Sequence, residues 1–292
     1  MKGFQNPQNE AEIKIKQPHR LREEQPMWEN IWQLFVSFYS NPCGWGIGIA
    51  LALGAIWLGA FAPPVHKRPW LWAVLAGGAI LFGPTIAFIQ VPLQFGANQA
   101  LLHFWNQATL QQHLLLAGIP ALLFTGLVQE GLKLVPPFIY MKYKQPISNR
   151  TALILGAVAG AGFGIFEAVW VLNTVFAQGF TWAVVQLQGW QALIPFWERF
   201  SAIGFHTAAT ALAIYGWNKG KGWQFYLLVA LLHIILDYSV VLLAAHVLTI
   251  VQLEIYASAL AAAILIPALW LRWRRPSQKS DIENISSGST EM

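Results

Sequence analysis

LLLAGIPALLFTGLVQEGLKLVPPFIY, residues 114–140, is an apolar run of membrane-spanning length that nevertheless holds an amide, Gln129, a carboxylate, Glu130, and an ammonium, Lys133. Roughly 20 predominantly apolar residues carry a helix across the hydrocarbon core, so the run predicts a transmembrane helix. Charged side chains at such depth are costly, and those that occur face a protein interior or a water-filled cavity rather than lipid. The stretch therefore predicts several spans packed around a shared polar interior.

The whole chain supports that reading. Of its 292 residues, 56% are hydrophobic and 11% charged, where a soluble domain carries about 25% charged residues. The apolar runs are continuous rather than alternating, which argues against a β-barrel. The expected fold is all-α: a polytopic transmembrane bundle of about seven spans, near 45–62, 69–91, 114–140, 151–176, 200–217, 223–245 and 249–271. WENIWQLFVSFYS, 28–40, is amphipathic and too short to span, so it is expected to lie in the interface. The chain divides into a polar and amphipathic arm, 1–42, a membrane domain, 43–272, and a basic, Ser-rich tail, 273–292, expected to be disordered. Cys43 is the single cysteine, which excludes an internal disulfide and a Cys-based metal site.

Charge placement predicts orientation. Lys67 and Arg68, then Lys142, Lys144 and Arg150, then Lys219 and Lys221, then Arg272, Arg274 and Arg275 all fall on one side of the expected spans. The positive-inside rule makes that side cytoplasmic and places the C-terminus there, in a plasma (inner) membrane. Trp70, Trp72, Trp217, Trp223, Trp270 and Trp273 sit at span ends, as an aromatic belt requires. The net charge of +5 is spread over these ends, so the expected partner is the lipid bilayer and not nucleic acid. The opposite connections, 94–112 and 178–198, mix Gln and Asn with Trp and Leu and read as amphipathic connectors, with interfacial helices or re-entrant pieces that gate a site as the alternative.

Four spans carry ionisable groups well inside their ends: Glu130 and Lys133, then Glu167, then His206 with Arg199 at the helix start, then His233 and Asp237. At about 1.5 Å of rise per residue, Glu130, Glu167, His206 and His233 lie about 15–22 Å from the basic ends. A shared depth on four helices predicts one cavity. His233 and Asp237 are spaced i, i+4 and share a face, which suits an Asp that orients an imidazole. Gln129, Glu130 and Lys133 fall on one arc, with Gly126 leaving room beside them. Gly156, Gly160 and Gly164 have the spacing of close helix packing. Glu254, near the start of the last span, reads as interfacial.

The order of these motifs resembles the PrsW intramembrane proteases, relatives of the CAAX prenyl endopeptidases and the bacterial Abi-type membrane proteases. Glu130 to Lys133, Phe163 to Glu167, Arg199 to His206 with Thr210 one turn on, and His233 to Asp237 carry the resemblance over about residues 114–245. It implies an intramembrane endopeptidase acting on a membrane-anchored protein substrate, with Glu130, Glu167, His206 and His233 catalytic and Gln129, Lys133, Asp237 and Arg199 supporting. The family pattern begins with two adjacent glutamates; Gln129 replaces the first. Water activation then falls to Glu130 or Glu167, unless the chain is a catalytically silent scaffold. A proton-coupled transporter would also need ionisable groups at mid-depth, but the sequence has no inverted repeat.

Glu130, Glu167 and Asp237 against Lys133 leave a net of minus two in a low-dielectric slab, which calls for compensation. A divalent ion such as zinc, held by ligands drawn from Glu130, Glu167, His206, His233 and Asp237, would supply it. Protonated histidines or neutral carboxylic acids would supply it equally well, so the sequence admits both metal-dependent and metal-free glutamate mechanisms.

Overall fold

Small residues decide which helices lie at the centre. A Cβ added to Gly156 would fall 2.3 Å from the carbonyl oxygen of Thr210, and one on Gly160 would fall 2.2 Å from that of His206. On another face of the same helix, a Cβ at Gly162 would meet the Leu75 carbonyl oxygen at 2.0 Å. Helices can approach to backbone contact only where such positions lack side chains. The helix that carries all three glycines, Asn149–Ala177, therefore becomes the hub of the bundle.

The structure is a computed structural model that describes residues 26–144 and 146–274. Most of the predicted arm (1–25) and of the predicted tail (275–292) lie outside the described residues. Of the described residues, 85% are helical and none is in a strand. In chain order the helices are α1 (Met27–Ser37), α2 (Gly44–Phe61), α3 (Trp70–Phe104), α4 (Gln107–Gln112), α5 (Leu114–Tyr143), α6 (Asn149–Ala177), α7 (Trp182–Gln188), α8 (Ile194–Asn218), α9 (Gly222–Ala244) and α10 (Ile250–Trp273). α6 packs against α8, α3 and α2. α10 lies against α8, and α5 pairs with α9.

Among the described residues, six helices are long and apolar enough to cross a membrane: α2, α3, α5, α6, α9 and α10. The chain is thus an all-α polytopic bundle. α8, expected as one of seven spans, has the length but not the apolarity. It carries Glu198, Arg199, His206, Thr207 and Thr210, and from Ile203 to Gly216 every residue is buried by other helices. A helix enclosed by protein has no need of a lipid-compatible surface. α8 also begins at Ile194 rather than near residue 200, which places Arg199 inside the helix.

α3 departs furthest from expectation. It runs on to Phe104, well past the predicted end at 91, and contains a π-helical turn at Thr85–Gln90 immediately after Pro84. Proline cannot donate a backbone hydrogen bond, and the extra residue of a π-turn shifts every later side chain around the axis. Against this turn rests α1, whose Phe35 ring lies tilted 4.9 Å from that of Phe88 and whose Phe38 meets Phe82 and Trp170. Trp28 and Trp32 remain on its outer face. The space expected at Gly126 is filled: a Cβ there would lie 2.5 Å from the Ala230 carbonyl oxygen, so this glycine serves α5–α9 packing instead.

The glycine contacts give a direct test. Gly160→Ala should destabilise the purified protein by about 1–3 kcal/mol, the usual cost of overpacking, seen as a lowered midpoint of thermal unfolding in detergent. Gly48→Ala, where an added Cβ meets nothing within 4 Å, should leave the midpoint unchanged or raise it.

Candidate functional site

The side chain at the middle of the site is Lys133. It is fully buried, and its Nζ lies 2.5 Å from Glu130 Oε1, one turn back on α5, and 2.9 Å from His206 Nδ1 on α8. The ring of Phe163 on α6 lies beneath the ammonium at 5.3 Å. Glu130 Oε1 also accepts from His233 Nδ1 on α9 at 2.6 Å, and His206 Nε2 lies 2.8 Å from Glu167 Oε2 on α6. The residues expected to converge from four helices therefore form one chain: Glu167–His206–Lys133–Glu130–His233. The two imidazole centroids are 5.3 Å apart.

Hydrogen-bond logic fixes the protons. An ammonium only donates and a carboxylate only accepts. His206 Nδ1 must therefore accept from Lys133, so Nε2 carries the hydrogen and donates to Glu167. His233 donates through Nδ1 to Glu130 and turns Nε2 toward Asp237. That last separation is 3.6 Å, too long for a hydrogen bond. Glu130, not Asp237, is the group that orients the His233 ring, contrary to the i, i+4 expectation.

The charge count changes as well. Arg199 reaches inward, with Nη1 3.3 Å from Glu167 Oε1, and also pairs with its neighbour Glu198. Glu130 and Glu167 are matched by Lys133 and Arg199. The Asp237 and Glu198 side chains are 30% and 29% exposed, so neither needs a buried counter-charge. With Glu198 counted beside Arg199, four carboxylates still face two cations, and the two unmatched charges fall on Asp237 and Glu198, the carboxylates that solvent reaches.

The groups form two tiers. Glu167, Arg199, His206, His233, Asp237 and Gln129 line a cavity of about 100 Å³, room for about three waters at their liquid volume. Glu130 and Lys133 are fully buried and lie behind its wall. Thr210 does not line the cavity; its Oγ1 faces Gly160.

Gln129 belongs to a polar seam between α3 and α5 that the sequence reading missed. Its Nε2 donates to Gln90 Oε1 at 2.9 Å, while Gln94 Nε2 donates to Thr125 Oγ1 at 2.8 Å and Gln90 approaches the same hydroxyl. The Gln129 Oε1 is buried with no hydrogen-bond partner among the described residues. A polar residue inside TIAFIQ was the available signal for Gln90, but only the π-turn sets the face it occupies. Glu254, near the start of α10, is 1% exposed; α10 packs there on α8 through a polar seam in which Trp197 Nε1 donates to Ser258 Oγ and Ser258 meets Ser201.

Glu130, His206 and His233 bring ligand-type atoms within 4.8 Å of one another, a spacing that suits a metal ion. The proton assignments do not fit one. The ammonium of Lys133 already sits on Glu130 and His206, and a His206 whose Nδ1 accepts from lysine carries hydrogen on Nε2 and has no lone pair left for a metal. Comparison with protein-family models, curated proteins and solved structures finds no match to this chain.

The amide seam predicts a coupling. Gln90→Leu removes the partner of a buried amide, which should cost about 1–3 kcal/mol. The Gln90→Leu/Gln129→Leu double variant should recover part of that loss, read as non-additive shifts in thermal unfolding.

Proposed function

We propose that the chain is a PrsW-like intramembrane endopeptidase that hydrolyses a peptide bond of a membrane-associated protein without a resident metal. The observation that carries this reading is Glu167: a carboxylate at the cavity wall, paired with Arg199 and receiving the His206 N–H. Glu130, which shared the role of water activator in the sequence reading, is fully buried behind that wall. The reading therefore gives the role to Glu167.

In the proposed reaction a cavity water is held by Glu167, which takes its proton as the oxygen attacks the scissile carbonyl. The developing oxyanion lies near Arg199. Arg199 Nη1 lies 3.3 Å from Glu167 Oε1, so the guanidinium is held beside the carboxylate and its charge faces the oxyanion as it forms. Glu167 then returns the proton to the leaving amine as the C–N bond breaks. Lys133 and Glu130 take no part in bond making. They fix the tautomers of His206 and His233, and through His206 the position of Glu167. The positive-inside pattern, carried with this reading, orients the basic ends and the C-terminus toward the cytoplasm.

A screen of membrane-proteome substrates with the reconstituted protein, wild type against His206→Ala, supplies the assay. Glu167→Gln, His206→Ala, His233→Ala and Glu130→Gln should each abolish cleavage while retaining expression. Normal cleavage by any two of these variants would overturn the site. Liposome uptake of protons or solute without cleavage would assign the cavity to transport instead.

Two measurements separate the roles. Cleavage by protein exhaustively treated with chelator should match that of untreated protein, and purified protein should carry less than one equivalent of zinc. Gln129→Glu should bring no gain in rate, because Glu167 already activates water. A large gain would return the role to position 129.

A further inference from the structure

A second concavity lies on the outer surface of the bundle, away from the polar cavity. It runs between α3 and the C-terminal part of α5 and encloses about 620 Å³. Its floor is the contact of Gly77 with Pro136, where an added Cβ would lie 3.1 Å from the proline ring. Its walls are Ala73 and Ile80 on one side and Val135 and Ile139 on the other. The cause is local. Small residues on α3 lower one wall, and the break of α5 at Leu134 before Pro136 and Pro137 tilts the other away.

The two ends of this trough differ chemically. Ile80 and Ile139 stand open on its apolar length, at 65% and 58% exposure. At the other end Trp70 stacks on Tyr140 with centroids 4.0 Å apart, and Tyr143 and Lys144 complete the lining. Among the described residues, Lys144 is the one charged residue that lines the trough. The two connections that frame this end, 62–69 and 144–148, and the helix ends beside them add Lys67, Arg68, Lys142 and Arg150 and no carboxylate.

An apolar trough on the face of two membrane-length helices, closed by aromatic rings and a cation where the helices end, matches one ligand class. We propose that it binds a single anionic phospholipid, with an acyl chain along the trough and the phosphate at Lys144. Basic pockets between membrane helices recognise such head groups, and tyrosine and tryptophan favour head-group depth. The assignment is independent of the protease reading, because neither Glu167 nor any group of the polar cavity takes part.

Native mass spectrometry of the full chain extracted from vesicles of equimolar phosphatidylcholine and phosphatidylglycerol provides the test. Wild type should retain phosphatidylglycerol over phosphatidylcholine by about fivefold, the ratio that one cation near an anionic lipid supports. Lys144→Glu should abolish the preference. Ala73→Trp, which fills the trough, should lower retention of both lipids, and Ile139→Trp from the opposite wall replaces it should that variant not fold. Equal retention of the two lipids by wild type overturns the proposal. So does an unchanged preference in Lys144→Glu, or unchanged retention in the folded tryptophan variant. A second copy of the chain in place of lipid, seen as a dimer mass that Ala73→Trp abolishes, also overturns it.

Discussion

The contact between the Lys133 ammonium and its two partners, Glu130 Oε1 and His206 Nδ1, is the constraint on which the site depends. A fully buried cation without a counter-charge would be prohibitive, and removing one partner of a buried pair typically costs about 3–5 kcal/mol. Here the cation also decides proton positions. By donating to His206 it makes that ring a donor toward Glu167; by holding Glu130 it supplies the acceptor for His233. One ammonium thereby sets two imidazoles on two helices.

That arrangement exists only because the backbones approach closely enough. Gly160 touches the His206 carbonyl and Gly164 lies under the His206 ring, with an added Cβ 3.1 Å from its Cδ2. Packing of α6 on α8 thus places Glu167 at hydrogen-bond distance from His206. α5 and α9 close in the same manner at Gly126 and bring Glu130 to His233. The apolar packing and the polar chain stabilise each other: side chains at these glycines would pull the ions apart, and unpaired ions would not tolerate the dry interior.

α3 and α5 face two environments. Inward, Gln90 and Gln129 join them beside the polar cavity; outward, Gly77 and Pro136 join them beneath the outer trough. The π-turn after Pro84 allows both, because it re-phases the helix between its lower wall and its amide-bearing stretch. Gln129 then has a structural reason to be an amide. Its Nε2 donates to Gln90, a bond that a carboxylate could not make without reversal of the Gln90 amide.

How far the sequence reached follows from the period of each signal. Long apolar runs pointed to the all-α class and to six of the seven expected spans, because length and continuity are local properties. The ionisable residues stood out because charges are rare in such runs, and a rise of about 1.5 Å per residue was enough to align their depth. Partner choice was not legible. His233 lies one turn from Asp237 in sequence yet bonds Glu130, 103 residues away, because helix packing, not spacing, sets which carboxylate reaches the ring. Arg199 became the partner of Glu167 only once α8 extended back to Ile194. Gln90 and the buried Glu254 depended on a π-turn and on the α8–α10 contact. Composition and periodicity by themselves determined a helical membrane bundle with a polar centre. Only the tertiary structure decided which ion meets which and which carboxylate faces the cavity, because side-chain pairing across helices depends on distances that no single helix encodes.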